Sequence, residues 1–236
     1  MTARFRCAWQ SGMEAPRVGD RAGYRVRLSV DNLACRRSGR RIFSGLTFAL
    51  APGDALAVTG RNGAGKSSLL AILSGRLRPD AGRIDVAEVG EASLPECLHV
   101  VGHRDGLKSA LTAGENLLFA QKLLGAARLS PRDALERLGL GHAHDLPVGY
   151  LSAGQRRRVA LARLLVCHRP LWLLDEPTAA LDTASQALLA DLMAAHRADG
   201  GLVIAATHQA LGLDGAAELR IEASVALEPE PMEDWA

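Results

Sequence analysis

The 236-residue chain lacks any run of about eighteen uncharged apolar residues, so nothing in it reads as a helix that crosses a membrane alone. Residues 1–27 are basic but have no continuous apolar stretch, which argues against a secretory signal. The four cysteines, Cys7, Cys35, Cys97 and Cys167, stand far apart without a C-x-x-C, which excludes the usual zinc and redox spacings and fits a reducing compartment. A strong excess of either charge is also missing. Lys and Arg number 28 against 26 Asp and Glu, a formal net charge of +2, too little for a nucleic-acid or anionic-membrane footprint. Internal repeats and low-complexity tracts are absent as well.

What is present is a composition able to fill one large domain: 48% of residues are hydrophobic. The charges are unevenly placed. Ten arginines lie between Arg4 and Arg41 against Glu14, Asp20 and Asp31, and after Arg220 only acids occur. Both ends read as solvated segments, so the expected organisation is a disordered leader at 1–27, a domain at 28–222 and an acidic tail at 223–236. Met13 is an alternative start within the Gly- and Arg-rich leader.

Alternating patterns at 26–34 and 42–50, the latter closed by Pro52-Gly53-Asp54, predict two strands of an antiparallel edge sheet. Residues 55–59 predict a short buried strand running into a Gly-rich loop and a helix at 66–74. Further strands are expected at 82–86, 98–101, 171–175, 202–207 and near 217–222. Residues 111–140 read as helical, with Pro131 at a first helical position, and further helices are expected from Ser152 and over 183–197. Strands alternating with helices imply an α/β fold with a mainly parallel sheet, and the central helical run, about 103–168, reads as an inserted lobe.

The loops carry the chemistry. Gly60-Arg61-Asn62-Gly63-Ala64-Gly65-Lys66-Ser67, followed by Ser68, matches G-x-x-x-x-G-K-[ST] between a predicted strand and a predicted helix. The glycines let backbone N–H groups wrap phosphates, Lys66 reaches the outer phosphates, and the Ser67 hydroxyl can ligate Mg²⁺, so ATP and Mg²⁺ are the expected cofactors. The apolar run at 171–174 delivers Asp175 towards the metal and Glu176 beside it, where it can polarise water; two adjacent acids could instead cap a helix. The stretch LSAGQ at 151–155 adds a second phosphate-capable helix start, since Ser152 and Gln155 form a capping box beside Gly154. One nucleotide needs only one such site. His142 and His144 have metal-like spacing without a third ligand in view. Arg156, Arg157 and Arg158 are consecutive on a helix, hence spread around it rather than gathered as a nucleic-acid face.

From about residue 28 to 221 the chain resembles the nucleotide-binding subunits of ABC transporters. The P-loop, LSAGQ for the usual LSGGQ, the strand ending in Asp175-Glu176, the loop Ala180-Leu181-Asp182 and His208 occur in the family's order and spacing. The resemblance implies a P-loop NTPase core, with Glu176 and His208 as catalytic groups and His208 touching the γ-phosphate. It places Asp182 at the nucleotide as well. It also implies a head-to-tail dimer in which Ser152, Gly154 and Gln155 of one copy face the nucleotide of the other, which accounts for two phosphate motifs in one chain.

Two positions depart from the family pattern. Arg37, 23 residues ahead of Gly60, stands where an aromatic usually stacks on adenine, and an Arg plane can stack too. His103 stands where a glutamine usually meets Mg²⁺ and the membrane subunit; it is either a metal-site residue or a plain loop histidine. With LACRR, VGHRDGLK and LWLLDEPTAALD, these letters are similar to the ATP-binding subunits of cytochrome c maturation haem exporters. That resemblance implies integral membrane partners of a haem export complex, a peripheral place on the cytoplasmic face of a bacterial inner membrane, and no nucleic acid. An ABC transporter subunit for another cargo, or a non-transport ABC ATPase, would share the ATP chemistry. No C-x-x-C-H occurs, so haem binding by this chain itself has little support.

Overall fold

The computed structural model describes residues 26–87, 92–208, 212 and 214–222. The leader at 1–25 and the acidic tail at 223–236 lie outside the described residues. Val26 is already buried and the first strand begins at Arg27, so packing reaches slightly ahead of residue 28.

Two sheets share the domain. β1 (Arg27–Arg37) and β2 (Arg40–Leu50) form the expected hairpin, and β4 (Ala81–Ala87) pairs with the other edge of β1 to give the antiparallel order β2-β1-β4. This sheet is buried on one face only, and Leu28, Val30, Leu33 and Cys35 of β1 point inward between exposed neighbours. The second sheet is wholly parallel in the order β5-β6-β7-β3-β8, with β3 at Ala55–Thr59, β5 at Leu98–Val101, β6 at Leu171–Asp175, β7 at Leu202–Ala206 and β8 at Ala217–Arg220. Every residue of β7 is buried, as a central strand covered on both faces requires.

The parallel sheet divides two cores. Leu171 and Leu173 of β6 join the antiparallel sheet and α1 (Lys66–Leu73) on one side. Trp172 and Leu174 face the helical lobe on the other. In that lobe the helical run expected over 111–140 is two helices, α2 (Ala113–Leu124) and α3 (Pro131–Arg137). Gly125 and Ala126 take positive φ of 69° and 46°, and the chain then runs extended, with the Arg128 amide donating to the Val166 carbonyl. α4 (Ala153–Val166) crosses from the lobe to the sheet, and α5 (Thr183–Ala198) covers the same face.

Candidate functional site

α1 begins without help from its own side chains. Its N-cap is Gly65 at φ 108°, no side chain caps it, and its first turn holds no acid, so its leading N–H groups and the positive end of its dipole are open to an anion. A Cβ on Gly65 would lie 2.2 Å from Cγ2 of Ile42, so β2 presses directly on the loop and only glycine fits there. Lys66 is 8% exposed, and its ammonium donates to the carbonyls of Gly60 at 2.9 Å and Arg61 at 3.4 Å. Phosphate oxygens arriving at the loop would compete for that charge.

An open cavity of about 660 Å³, ample for a nucleotide, lies in front of this loop. Asn62, Gly63, Gly65, Lys66, Ser67 and Ser68 line one side; Asp175, Glu176, His103 and His208 line the other. Gly60, Arg61 and Ala64 complete the loop behind the lining. Asp175 ends β6, and Glu176 follows with a positive φ of 46°, a conformation that costs a non-glycine residue about 1–3 kcal/mol and persists where its surroundings enforce it. Its amide donates to the Ala206 carbonyl at 2.8 Å, and one carboxylate oxygen lies 2.9 Å from Nδ1 of His208. Glu176 and His208 thus form a pair at the mouth of the cavity.

The donor set suits a hard cation held partly by substrate. Ser67 and Asp175 offer one hydroxyl and one carboxylate into the same space, and Mg²⁺ is typically held by one or two carboxylates together with phosphate oxygens and water. Among the described residues no group of three or more His, Cys, Asp or Glu could hold a metal by itself. His144 instead has Nδ1 2.6 Å from an Asp145 carboxylate oxygen, a pairing that pulls the Asp145 pKa down.

Other expected residues lie outside the cavity lining. Arg37 is exposed at the end of β1, opposite Arg40 in the hairpin. Ser152 caps α4 through the anticipated box: its hydroxyl accepts from the Gln155 amide at 3.2 Å, and its own amide donates to the Gln155 side chain at 2.9 Å. Ser152 is exposed, while Gly154 lies against the Ala180 carbonyl, which a Cβ there would approach to 2.9 Å. Asp182 is the N-cap of α5, accepting from the Ser185 amide at 2.8 Å, and hydrogen bonding by the Ser185 side chain, then by its amide, holds the Asp182 carboxyl below the usual range. Ala180 and Leu181 of the Ala180-Leu181-Asp182 loop line the cavity, together with Thr178, Ala179 and Gln186.

The residue that motif reasoning passed over is Arg157. It is 3% exposed, and its guanidinium donates to the carbonyls of Gly102, Asp175, Glu176 and Pro177 and to the Asp105 carboxylate. A signal existed: Arg157 falls on the stripe of α4 that continues through Ala160, Leu161 and Leu164, all buried.

Comparison with known proteins agrees with this geometry. Residues 43–179 match the ABC transporter family. A protein of Chelativorans sp. (strain BNC1) named "Cytochrome c biogenesis ATP-binding export protein CcmA" is 51% identical over 201 residues, covering 84% of this chain and 99% of that protein. One of the same name from Nitrobacter winogradskyi is 53% identical over 198 residues, covering 83% and 98%. Among solved structures, a putative ABC transporter ATP-binding protein from Pyrococcus furiosus superposes with a TM-score of 0.71 at 21% identity, covering 83% of this chain and 97% of that one. An ATP-binding subunit of an ABC transporter gives 0.73 at 22%, covering 84% and 88%. These last two speak for the fold.

Proposed function

The chain belongs to the ABC transporter family, among proteins named as cytochrome c biogenesis ATP-binding export proteins, and on that premise we propose that it is the ATP-hydrolysing subunit of a membrane complex for haem export or haem-chaperone release in c-type cytochrome assembly. The observation that carries the reading is the convergence of the Lys66 loop, Asp175 and the Glu176–His208 pair on one cavity.

The residues divide the task. Backbone N–H groups at the start of α1 and the Lys66 ammonium bind the β- and γ-phosphates. Ser67 and Asp175 would hold Mg²⁺, which when bound neutralises charge on the transferring phosphoryl group. Glu176 accepts a proton from the attacking water. His208, anchored through Nδ1 to the Glu176 carboxylate, keeps its other ring nitrogen for the γ-phosphate. ABC ATP-binding subunits work as dimers with membrane subunits, and the exposed start of α4 suits the nucleotide of a second copy.

Membrane partners have a candidate seat. A second cavity of about 300 Å³ opens in the lobe between Leu98–Val101 and α2, lined in part by Leu107, Lys108, Phe119 and Leu123. Phe119 and Leu123 are 50% and 70% exposed, much for large apolar side chains on one helix. No described helix is long and apolar enough to cross a membrane, so attachment through this groove would make the chain peripheral.

The test is haem-stained c-type cytochrome in a strain whose only copy carries Glu176→Gln. The purified variant should retain ATP binding while hydrolysis falls by at least ~10²-fold. The strain should lose mature c-type cytochromes. Normal cytochrome levels would remove the haem-maturation role and leave an ABC ATPase for another cargo.

A further inference from the structure

Three arginines follow one another in α4 and point three ways. Arg156 folds back on the Leu151 carbonyl, and Arg158 holds the Leu138 carbonyl at 3.1 Å beyond the end of α3. Arg157 alone enters the core. Its Nε donates to the Pro177 carbonyl at 3.3 Å. One terminal nitrogen donates to the Gly102 carbonyl at 2.8 Å and Asp105 at 3.1 Å, and the other to the carbonyls of Asp175 at 2.9 Å and Glu176 at 2.7 Å. A guanidinium has five N–H donors in a fixed plane, and here each has an acceptor.

The acceptors are three consecutive carbonyls of the loop that carries Asp175 and Glu176, plus two groups of the segment after β5. The Glu176 peptide is therefore gripped on both sides, its N–H by Ala206 of β7 and its C=O by Arg157. With φ at 46°, that grip decides where its Cβ points, and the carboxylate meets His208. Asp105 lies two residues after His103 in the nucleotide-cavity lining and one before Gly106 in the lobe groove. The same guanidinium thus ties the hydrolytic loop to the segment that lines the nucleotide cavity at His103 and the lobe groove from Gly106.

We propose that Arg157 is the positioning residue that sets the Glu176 carboxylate for water attack, and that its bond to Asp105 couples this setting to the 102–108 segment between the nucleotide cavity and the lobe groove. The inference rests on ATP hydrolysis at this cavity and goes beyond it by assigning a residue outside the cavity lining. The P-loop makes no bond to Arg157, so binding and turnover should separate.

The test uses the full chain, with steady-state ATPase measured across ATP concentration and thermal midpoint recorded alongside. Arg157→Lys retains charge but offers three donors from one point. Its kcat should fall roughly 10- to 100-fold, as expected for a misplaced catalytic group. KM for ATP should stay within about threefold. In a Glu176→Gln background the same change should cost nothing further, because the group it positions is gone. Asp105→Ala should lower kcat at unchanged KM, and it serves where Arg157→Lys fails to fold. An additive loss in the Glu176→Gln background, or unchanged kcat in both Arg157→Lys and Asp105→Ala, overturns the inference while leaving the ATPase intact. An unaltered chain that hydrolyses no ATP overturns both readings.

Discussion

The helices α1 and α4 both begin without an acid in the first turn, yet they stand in opposite situations. α1 has no side-chain cap and opens into a cavity of its own chain, so its N–H groups are left for a ligand. α4 caps itself through Ser152 and Gln155, lies outside that cavity, and is braced from behind where Gly154 meets the Ala180 carbonyl. Only the start of α1 is a site by itself. The first is incomplete until phosphate arrives. The second is capped by its own side chains and lies exposed outside that cavity, and its dipole would add to the attraction for a phosphate once an interface excludes water.

The two helix starts can be damaged separately, one in each of two chains. Lys66→Ala removes the charge at α1, and Ser152→Ala removes the cap and hydroxyl at α4. Each variant alone should have little ATPase activity, since in a twofold dimer each composite site is hit once. Mixed in equal amounts they should recover up to roughly a quarter of wild-type turnover, because half the dimers then hold one site with both defects and one with neither. A mixture no more active than its components, with dimers demonstrated, would place α4 outside the partner's site.

Where the motif supplies the chemistry, the letters alone were enough to place it. Lys66, Ser67, Asp175, Glu176 and His208 each follow or end a strand that the local pattern predicts, and the parallel pairing of β6, β7 and β3 brings them to one cavity. Ala153, which stands in place of the family's first signature glycine, is exposed, whereas Gly154 makes the close approach. What stayed hidden depends on distant pairing. β4 reaches β1 only across the whole of α1, and the break between α2 and α3 is set by bonds from 128 and 129 to the end of α4. Arg157 lies on an apolar stripe of α4, but its role was hidden because its partners, Gly102, Asp105 and the carbonyls of 175–177, are distant in the chain. Asp182 carries a capping bond that the pattern Asp-x-x-Ser could have announced.

A smaller effect separates the two ends of α4. His99 makes a 3.3 Å bond to the carbonyl of Cys167, at the helix's far end, and His196 bonds to the Pro170 carbonyl at 3.1 Å while stacking on Trp172. Burial is the main cause that pushes both imidazoles down to about 4. Both are therefore neutral in the fold, and the unfolded chain takes up protons first as pH falls through about 6.5. Stability from this source is complete above about 6.5 and is lost progressively towards 4, by up to about 3 kcal/mol for each residue. The denaturant midpoint should fall steadily from pH 7 to 5. A flat midpoint over that range would mean the two rings are not held neutral, and the far end of α4 would not be its acid-sensitive part.

The smallest expected effect belongs to Arg37, and it tests how completely the α1 cavity accounts for nucleotide binding. Arg37 is exposed opposite Arg40, with Arg36 opposite Arg41, so the hairpin tip carries like charges in facing positions, an arrangement that weakens rather than supports it. Losing Arg37 should therefore leave the thermal midpoint unchanged or slightly higher. If its plane covers the adenine, Arg37→Ala should raise KM for ATP about two- to fivefold, the size of a cation–π contact at an exposed site. Arg37→Tyr should restore it, since an aromatic ring stacks without charge. Inhibition by tripolyphosphate, which has phosphates but no base, separates the causes: it should be the same for Arg37→Ala as for the unaltered chain. A parallel loss of tripolyphosphate affinity would assign Arg37 to the phosphates. An unchanged KM for ATP would mean that the cavity in front of α1 holds the nucleotide without the hairpin.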